Sequence, residues 1–475
     1  MIGIDHSVFR SYDIRGTYPD QLDDQFAYLL GRALPGVLSA RRVVVGHDAR
    51  LSSPCLYAAF TAGLADTGAE VGGMGLCVTE LVYYVMGSRP DLDLGVMITA
   101  SHNPPEYNGF KVVKAGGEPV PAATGLGEVW KWMEAMSVNL PADCTAPAKT
   151  VAAEADYLDF AFELVGVPDV GGLRIVVDAG NGVGGLLWEA LADRLGIDPV
   201  RMNFEPDGRF PAHAPDPSQR ANLEPLVQRV LQERADMGFC YDGDADRVVV
   251  VLDDGHVVDG SEMIVCIADP MLDRQASLVF GVGQTTSRKA LDHFRRRGAE
   301  PVIMPVGHAK IKTLMRSTRE MAFAGEDAGH YYYSDFFCCD SSLVTTLHVL
   351  HAASEGGLKA LVNSLPGPWH RPRREPAFDF PDRQEALDVC RKVAADALGR
   401  FPDAEEITCE KEGRVLRSCR PRDLRDAEGV RVDYADWWFC VRPSGTEPIV
   451  RLAVEARSES LLTDRTDSLC SLFGK

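Results

Sequence analysis

Three short apolar runs, each followed by a polar or glycine-rich stretch and then by helix-like sequence, constrain the fold of this chain most strongly. Each is typical of a buried parallel strand that ends at a ligand-facing loop, with a helix after the loop. The three are RRVVVGHDARLSS from Arg41, LRIVVDAGNGVGG from Leu173 and SLVFGVGQTTSRKA from Ser277. Because they recur at intervals of roughly 100 to 130 residues, they predict three α/β units in series. A chain of 475 residues is also too long for one ordinary core.

Proline-rich and turn-rich stretches separate these units. The stretch 139–150 would end the first unit, the turn at 252–260 leads into the third, and 365–376 contains four prolines and reads as a linker. The final hundred residues predict a small α+β domain. We therefore expect an α/β protein with three tandem mixed-sheet domains and a C-terminal α+β domain. The expected boundaries are 1–152, 153–254, 255–367 and 368–475.

Net charge and cysteine usage limit the partners and the compartment. The formal net charge of −20 disfavours nucleic acid and anionic membranes, so a pocket for an anionic ligand must be locally basic. The twelve cysteines form no CxxC pair or zinc-ligand cluster, which favours reduced thiols. The first residues lack an apolar signal core, and no apolar run reaches the 18 residues of a membrane span. We expect a cytoplasmic protein that binds small molecules and neither nucleic acid nor membranes.

Three aspartates stand at alternate positions between two apolar strands in the sequence CYDGDADRVVVV. At about 4 Å and an effective dielectric constant near 20, each pair of carboxylates would repel by on the order of 4 kcal/mol. A divalent cation with hard oxygen ligands removes this repulsion. Asp242, Asp244 and Asp246 therefore predict one Mg²⁺ site per chain.

Two other interpretations of this loop are an EF-hand and a solvated acidic turn. An EF-hand would need glycine in place of Arg247 and glutamate in place of Asp253. A solvated acidic turn is common, but it seldom separates two strands this apolar. Arg247 suits the metal site, because its guanidinium can grip a phosphate that lies on the ion.

One serine lies among groups suited to phosphate chemistry in TASHNPPEYNGFK. A serine hydroxyl is a poor nucleophile unless a base or a metal activates it. His102 could be that base in a hydrolase, although a neighbour on an extended loop tends to point away from Ser101, and the GxSxG elbow is absent. Alternatively, Ser101 carries a phosphoryl group on the metal, with His102 and Asn103 holding it and Lys111 nearby. A simple capped turn is the third interpretation.

Together, the serine and aspartate motifs resemble those of the α-D-phosphohexomutase superfamily. Three more motifs follow in the family's order: FRSYDIRG at 9–16, GEDAGHYYYSDF at 325–336 and RPSGTEP at 442–448. The sequences NGFK and DWWFCVRPSGTEPIVRLAVEA are most similar to those of the phosphomannomutase/phosphoglucomutase branch. The resemblance spans the whole chain and implies four domains around a central cleft, with one loop from each domain facing it.

The resemblance also implies roles for individual residues. The implied metal ligands are Ser101, Asp242, Asp244 and Asp246. The implied catalytic groups are Ser101 as phosphoserine, Lys111 as general acid/base, His102, Arg15 and Arg247. The implied substrate-binding groups are Tyr12, His308, Glu326, His330, Arg442, Ser444, Gly445 and Thr446. Lys111, expected at the start of a strand, needs a lowered pKa to accept a proton. Many members have serine at the position of Ala328, so the preference between mannose and glucose stays open.

The implied reaction is a phosphoryl transfer in two halves at one metal. Phosphorylated Ser101 would phosphorylate a hexose monophosphate, the resulting 1,6-bisphosphate would turn round in the cleft, and its other phosphate would return to the serine. Glucose 1,6-bisphosphate or mannose 1,6-bisphosphate would serve as activator. The segment 366–376 is the expected hinge for closing the cleft against water. We expect a monomer or a dimer.

Other functions remain open at this point. A phosphoglucosamine mutase shares the RPSGTEP type of loop, and a serine-dependent sugar-phosphate phosphatase would form the same phosphoserine. A haloacid-dehalogenase-like phosphatase would instead use Asp242 as its nucleophile. A sugar-phosphate sensor without turnover would not need the serine, the three aspartates and Lys111 together.

Overall fold

The computed structural model describes residues 4–10, 12–120, 125–136, 138–141, 144, 149–372, 375–444 and 449–474. The chain divides into two compact units, which we describe separately. Unit 1 comprises Met1–Asp259 and Ala328–Ala360, and unit 2 comprises Gly260–Asp327 and Leu361–Lys475. Within the described ranges, no helix has both the length and the apolar character that crossing a membrane requires.

The N-terminal part of unit 1 is a seven-stranded mixed sheet with helices. Its elements are β1 (Ile14–Thr17), α1 (Asp24–Leu38), β2 (Arg42–His47), α2 (Ser53–Ala65), β3 (Glu70–Leu76), α3 (Thr79–Ser88), β4 (Leu94–Ile98), β5 (Tyr107–Lys114), β6 (Glu118–Pro119), α4 (Leu126–Ala135) and β7 (Lys149–Thr150). The strand order is β1-β5-β4-β2-β3-β7, with β6 beside β5. Strand β2 is parallel to β3 and β4, whereas β5 is antiparallel to β1 and β4.

Helices α1 and α2 pack closely because glycines lie where they cross. A Cβ atom at Gly31 would overlap the Phe60 carbonyl oxygen, and one at Gly63 would overlap the Tyr28 carbonyl oxygen. The side chain of Asp23 caps the start of α1 by accepting a hydrogen bond from the Phe26 amide at 2.7 Å. This packing fixes α2, the helix that follows the loop at the end of β2.

The second sheet of unit 1 has five strands. Its elements are α5 (Glu154–Val165), β8 (Ile175–Asp178), α6 (Gly184–Leu195), β9 (Val200–Met202), α7 (Arg220–Glu233), β10 (Met237–Tyr241), β11 (Val248–Leu252) and β12 (Val257–Val258). The order is β12-β11-β10-β8-β9. Strand β8 is parallel to β9 and β10, and β10 is antiparallel to β11. Unit 1 also contains the hairpin of β16 (Tyr331–Tyr333) and β17 (Cys339–Asp340) and helix α11 (Ser342–Ser354).

Unit 2 contains parallel strands and a larger antiparallel sheet. Its elements before residue 328 are α8 (Gly260–Arg274), β13 (Val279–Gly283), α9 (Arg288–Arg296), β14 (Val302–Met304), α10 (His308–Ser317) and β15 (Met321–Gly325). Helix α12 (Gly357–Ser364) crosses the boundary between the units. The later elements are β18 (Ala377–Asp379), α13 (Arg383–Arg400), β19 (Glu406–Lys411), β20 (Arg414–Leu416), β21 (Gly429–Asp433), β22 (Trp437–Pro443), β23 (Ile449–Ala456) and α14 (Glu459–Cys470). Strand β13 is parallel to β14 and β15, and the later sheet has the order β18-β23-β22-β21-β19-β20.

The three strand–loop–helix openings predicted from the sequence are confirmed as β2 with α2, β8 with α6, and β13 with α9. Mixed sheets flanked by helices, followed by a C-terminal sheet domain, agree with the predicted α/β class. The stretch after 139–150 begins with helix α5, and the predicted turn region 252–260 also contains strand β12.

Three expectations from the sequence are wrong in detail. Lys111 lies in the interior of β5 rather than at its start. The thiols are not all reduced, because Cys409 and Cys419, with Cα atoms 6.5 Å apart, form a disulfide. The described part of 365–376 is not a free linker: His370 pairs with β23, and Arg371 donates to Thr285 O at 2.6 Å and to a carboxylate on β23.

Candidate active site

The site lies where strands of the two unit 1 sheets end. In parallel α/β sheets, ligands bind beyond the carboxyl ends of the strands. Strand β4 ends at Ile98 and leads directly into the serine loop, and β10 ends at Tyr241 and leads into the aspartate loop. Ser101 adopts a left-handed backbone conformation with φ of 50°, and its amide donates to Thr99 Oγ1 at 2.8 Å. The loop therefore turns sharply at the serine.

The two loops bring the serine hydroxyl to the aspartates. Ser101 Oγ donates to Asp242 Oδ2 at 2.8 Å. Each of the three aspartates offers a carboxylate oxygen, and these oxygens all lie within 4.8 Å of one another. All three side chains and Ser101 are buried. Four oxygen donors thus converge at one point between the loops.

The chemistry of this donor set fits a divalent cation. Asp244 Oδ1 and Asp246 Oδ1 are buried, and neither accepts a hydrogen bond. Burial, together with the charges of Asp246 and Asp244, raises the pKa of Asp242 well above its usual value. Buried carboxylate oxygens without donors are costly unless a cation balances them. These residues can therefore hold a metal ion with a preference for hard oxygen ligands.

Lys111 balances part of this negative charge. Its Nζ lies 2.6 Å from Asp244 Oδ2 and 2.6 Å from Asp246 Oδ2. Burial by itself lowers the pKa of Lys111, but the two carboxylates outweigh burial and raise it overall. The expected lowering of the pKa is thus not found, since the two acids stabilise the ammonium form. In this arrangement Lys111 is a positive charge beside Asp244 and Asp246.

His102 lies against the serine, contrary to the expectation that it would point away. Its Nδ1 is 3.2 Å from Ser101 Oγ, because the left-handed turn at Ser101 brings the neighbouring side chain round. Burial, followed by the charges of Arg247 and Arg15, lowers the pKa of His102 well below its usual value. A neutral imidazole therefore faces the hydroxyl.

The two arginines of the predicted site flank the loops. Arg15, on β1, donates from Nη1 to Asn103 Oδ1 at 2.7 Å and from Nη2 to Asp13 Oδ2 at 2.5 Å. It is buried, so its ion pair is not a surface salt bridge. Arg247 lies with its Nε 3.8 Å from Asp242 Oδ2. Both guanidinium groups add positive charge where a phosphate on the serine would lie.

His330 is held in one tautomer by its neighbours. Its Nδ1 lies 2.8 Å from Asp340 Oδ2 and 3.7 Å from Asp246 Oδ1, and its Nε2 accepts from Arg247 Nε at 2.9 Å. Since an arginine Nε–H can only donate, Nε2 carries no proton and Nδ1 does. Asp340 therefore orients His330, and His330 orients Arg247.

Sequence reasoning missed several residues that shape this site. Thr79 Oγ1 donates to Asp244 Oδ2 at 2.5 Å, and its amide donates to the Asp244 carbonyl at 3.0 Å. Asp340 and Glu80 were missed as well, since nothing in their local sequence separates them from ordinary strand and helix residues. Arg50 was missed too. Its spacing from Asp48, in HDAR at the end of a buried strand, was the one available signal.

Glu80 is a fully buried carboxyl group next to Thr79. It accepts from the Leu343 amide at 3.3 Å and from Ser342 Oγ at 3.4 Å, at the start of α11. Burial raises its pKa from 4.5 to about 8, although these hydrogen bonds act in the opposite direction. The carboxyl group links α3 to α11 on the side of the aspartate loop.

Replacing this carboxyl group should alter how stability depends on pH. The folded pKa of Glu80 is above its unfolded value, so the folded state binds the extra proton, and stability is lost as the pH rises from about 4.5 to about 8. In Glu80→Gln, this contribution, on the order of 4 kcal/mol over that range, should disappear. Urea unfolding at about pH 5 and about pH 8 measures the difference. Equal pH slopes for wild type and variant would contradict the assignment.

The remaining predicted residues lie mostly in unit 2. Glu326 follows β15, and His308 is the first residue of α10. Arg442 lies in β22 with its Nη2 3.7 Å from Glu375 Oε2. Ser444 is buried, and its amide donates to Ile449 O at 2.8 Å. Tyr12 lies in unit 1, two residues before the start of β1. Gly445 and Thr446 lie outside the described residues.

The structure thus brings nine of the predicted residues together in unit 1. They are Arg15, Ser101, His102, Lys111, Asp242, Asp244, Asp246, Arg247 and His330. A serine hydroxyl, three buried acids, three cationic side chains and two histidines suit the transfer of a doubly negative group through the serine.

Comparison with protein families accounts for almost the whole chain. The model described as "Phosphoglucomutase/phosphomannomutase, alpha/beta/alpha domain I" matches residues 6–131. The corresponding models for alpha/beta/alpha domains II and III match residues 155–255 and 259–368. The model for the C-terminal domain matches residues 377–471. The four matches follow one another in the order of the family.

Individual relatives extend over the same length. A Xanthomonas campestris pv. campestris (strain B100) protein named "Phosphohexose mutases" is 32% identical, with 98% of each chain covered. A Pseudomonas aeruginosa (strain PAO1) protein named "Phosphomannomutase/phosphoglucomutase" is 31% identical, with 96% of this chain and 93% of the relative covered. The crystal structure of a phosphoglucomutase/phosphomannomutase family protein from Burkholderia thailandensis superposes with a TM-score of 0.81 at 27% identity, covering 99% of this chain and 97% of that one.

Proposed function

Because the chain belongs to the phosphoglucomutase/phosphomannomutase family, we propose that it interconverts hexose 1-phosphate and hexose 6-phosphate by way of a phosphoserine at position 101. The sugar is mannose, glucose or both. One observation carries the proposal: Ser101 Oγ lies 2.8 Å from Asp242 Oδ2, inside a cluster of three buried aspartates. The relatives' names supply the sugar class.

Ser101 and the three aspartates would hold one Mg²⁺ ion. The two buried aspartate oxygens without hydrogen bonds and the all-oxygen donor set support this assignment. When bound, the ion neutralises charge on the phosphoryl group as it leaves or returns to the serine.

The chain's own side chains provide the remaining positive charge. Lys111 and Arg247 lie on the aspartate side of the serine, and Arg15 lies on the Asn103 side. Phosphoryl transfer proceeds largely through positioning and electrostatic stabilisation, so three fixed cations lower the barrier. His102, whose Nδ1 lies 3.2 Å from the hydroxyl oxygen, would hold the phosphoryl group on the serine together with Asn103.

Further residues of the chain would recognise the sugar phosphate. Glu326 would accept hydrogen bonds from sugar hydroxyls, and Arg442 would grip the phosphate that does not react. The other proposed contacts are Tyr12, His308, His330, Ser444, Gly445 and Thr446. We propose the four domains at 1–152, 153–254, 255–367 and 368–475, a hexose 1,6-bisphosphate as activator, and a cytoplasmic monomer or dimer.

A coupled assay tests the function. Mannose 1-phosphate, glucose 1-phosphate and glucosamine 1-phosphate are supplied separately with Mg²⁺ and a trace of glucose 1,6-bisphosphate, and the 6-phosphates are measured. We expect turnover of mannose 1-phosphate, glucose 1-phosphate or both, with little free phosphate released. Turnover confined to glucosamine 1-phosphate would make the chain a phosphoglucosamine mutase. Steady release of phosphate would make it a phosphatase.

A further inference from the structure

Arg50 lies at the centre of the serine loop, although its side chain faces neither the hydroxyl nor the aspartates. It is completely buried, in the loop between β2 and α2. Its Nη2 donates to Ser101 O and Asn103 O, each at 2.7 Å. Its Nη1 donates to Pro104 O at 2.6 Å and to Tyr107 O at 3.0 Å. Four carbonyl oxygens of one loop therefore point at a single guanidinium.

The fifth donor of Arg50 binds a buried carboxylate. Its Nε donates to Asp48 Oδ2 at 3.1 Å. A guanidinium has five N–H groups, so all five have partners within the protein. Arg50 keeps no donor for a phosphate, which separates it from Arg15 and Arg247. Its effect on the site must therefore pass through the loop that it holds.

Asp48 connects this arginine to the serine by a second route. Besides Arg50, it accepts from Ser53 Oγ at 2.6 Å and from Thr99 Oγ1 at 2.7 Å. Thr99 Oγ1 in turn accepts from the Ser101 amide at 2.8 Å. The amide and the carbonyl of Ser101 are thus fixed by the same Asp48–Arg50 pair. This pair maintains the left-handed turn that a serine rarely adopts.

Loops next to the second sheet of unit 1 cover this arrangement. The ring centroid of Phe210 lies 5.2 Å from Arg50 Cζ. A Cβ atom at Gly208 would overlap the backbone of residues 49–51, and one at Gly243 would overlap Ser101 O and contact the Phe210 ring. Arg50 is therefore held between the serine loop and the part of the chain that carries the aspartates.

We propose that Arg50, seated by Asp48 and covered by Phe210, is the positioning residue that sets the serine hydroxyl against the aspartate cluster. The inference rests on the proposed function. Removing the guanidinium leaves four carbonyl oxygens facing one another without a donor, so the loop must rearrange. A displacement of about 1 Å at a reacting group can lower a rate by about 10²-fold.

The test is chemical rescue of Arg50→Ala with free guanidinium at a concentration too low to denature the protein. We expect kcat for hexose 1-phosphate to fall by about 10²-fold with little change in KM, and added guanidinium to restore a measurable part of it. Arg50→Lys keeps the charge but offers three donors instead of five, so it should recover less than the rescued alanine variant. If Arg50→Ala does not fold, Arg50→Lys is compared with wild type in its place.

Leu64→Ala serves as the matched control, because Leu64 is fully buried in α2 and lies away from the serine loop. It should lower the melting temperature without lowering kcat. The inference is overturned if Arg50→Ala keeps wild-type kcat, if guanidinium restores nothing, or if Leu64→Ala loses as much kcat for the same loss of stability. Failure of the proposed function would look different, since wild-type protein would then show neither mutase turnover nor phosphoserine.

Discussion

Replacing Ser101 with alanine should lower mutase turnover by at least about 10⁴-fold. The hydroxyl is the only atom of this side chain that can carry the phosphoryl group, and its 2.8 Å contact with Asp242 places it in the aspartate cluster. The change removes one buried hydrogen bond, so the loss of stability should be only about 1 kcal/mol. The coupled assay measures turnover, and urea unfolding measures stability.

Ser88→Ala is the matched control for this change. Ser88 ends α3, and its hydroxyl donates to the Val85 carbonyl at 3.5 Å. Its turnover should equal that of wild type. Residual activity of Ser101→Ala above one tenth of wild type would place the phosphoryl group on another residue, and the same loss in Ser88→Ala would mean that the assay reports folding.

Asp242→Asn should remove most of the stabilisation that magnesium gives to the wild-type protein. Without metal, the substitution removes one of three crowded carboxylates, so the variant should melt at or above the wild-type temperature in the presence of a chelator. With Mg²⁺ at about a hundred times its dissociation constant, wild type should gain about 2.7 kcal/mol and the variant far less. Turnover should fall by about 10²-fold or more, because a metal at such a site supplies several kcal/mol.

Asp253→Asn controls for the change of charge. Asp253 lies in the turn after β11, with a side chain that is 51% exposed and paired with Lys359. Its stability should respond to Mg²⁺ as wild type does, and its turnover should be unchanged. An Asp242→Asn variant that gains as much stability from Mg²⁺ as wild type would exclude this aspartate as a ligand.

The fold was largely predictable because its strands have a recognisable pattern in the local sequence. The runs RVVVGH, IVVD and VFGVG are apolar, short and bounded by glycine or polar residues, and each became a buried strand with a helix after it. The pairing of Cys409 with Cys419 was not predictable, since it depends on a tertiary separation of 6.5 Å between Cα atoms. The attachment of Arg371 to its carboxylate partner on β23 could not be read from a proline-rich sequence either.

The candidate site was predictable where chemistry is concentrated in a short motif. Two such motifs indicate their function from a few adjacent residues: the alternating aspartates, and the serine followed by histidine and asparagine. The supporting contacts join residues far apart in the chain: Thr79 reaches Asp244 across 165 positions, and Arg247 reaches His330 across 83. The predicted orientation of His102 was wrong for another reason. The left-handed backbone at Ser101 changes the direction of the side chain that follows it.

Transfer of a labelled phosphoryl group tests the central claim most directly. The protein is incubated with Mg²⁺ and glucose 1,6-bisphosphate carrying radioactive phosphorus, freed of excess label, digested, and its labelled peptide identified. A second sample is mixed with unlabelled hexose 1-phosphate for one turnover. We predict label on Ser101 and its complete passage to the sugar phosphate. Label on Asp242, or its release as inorganic phosphate, would contradict the account.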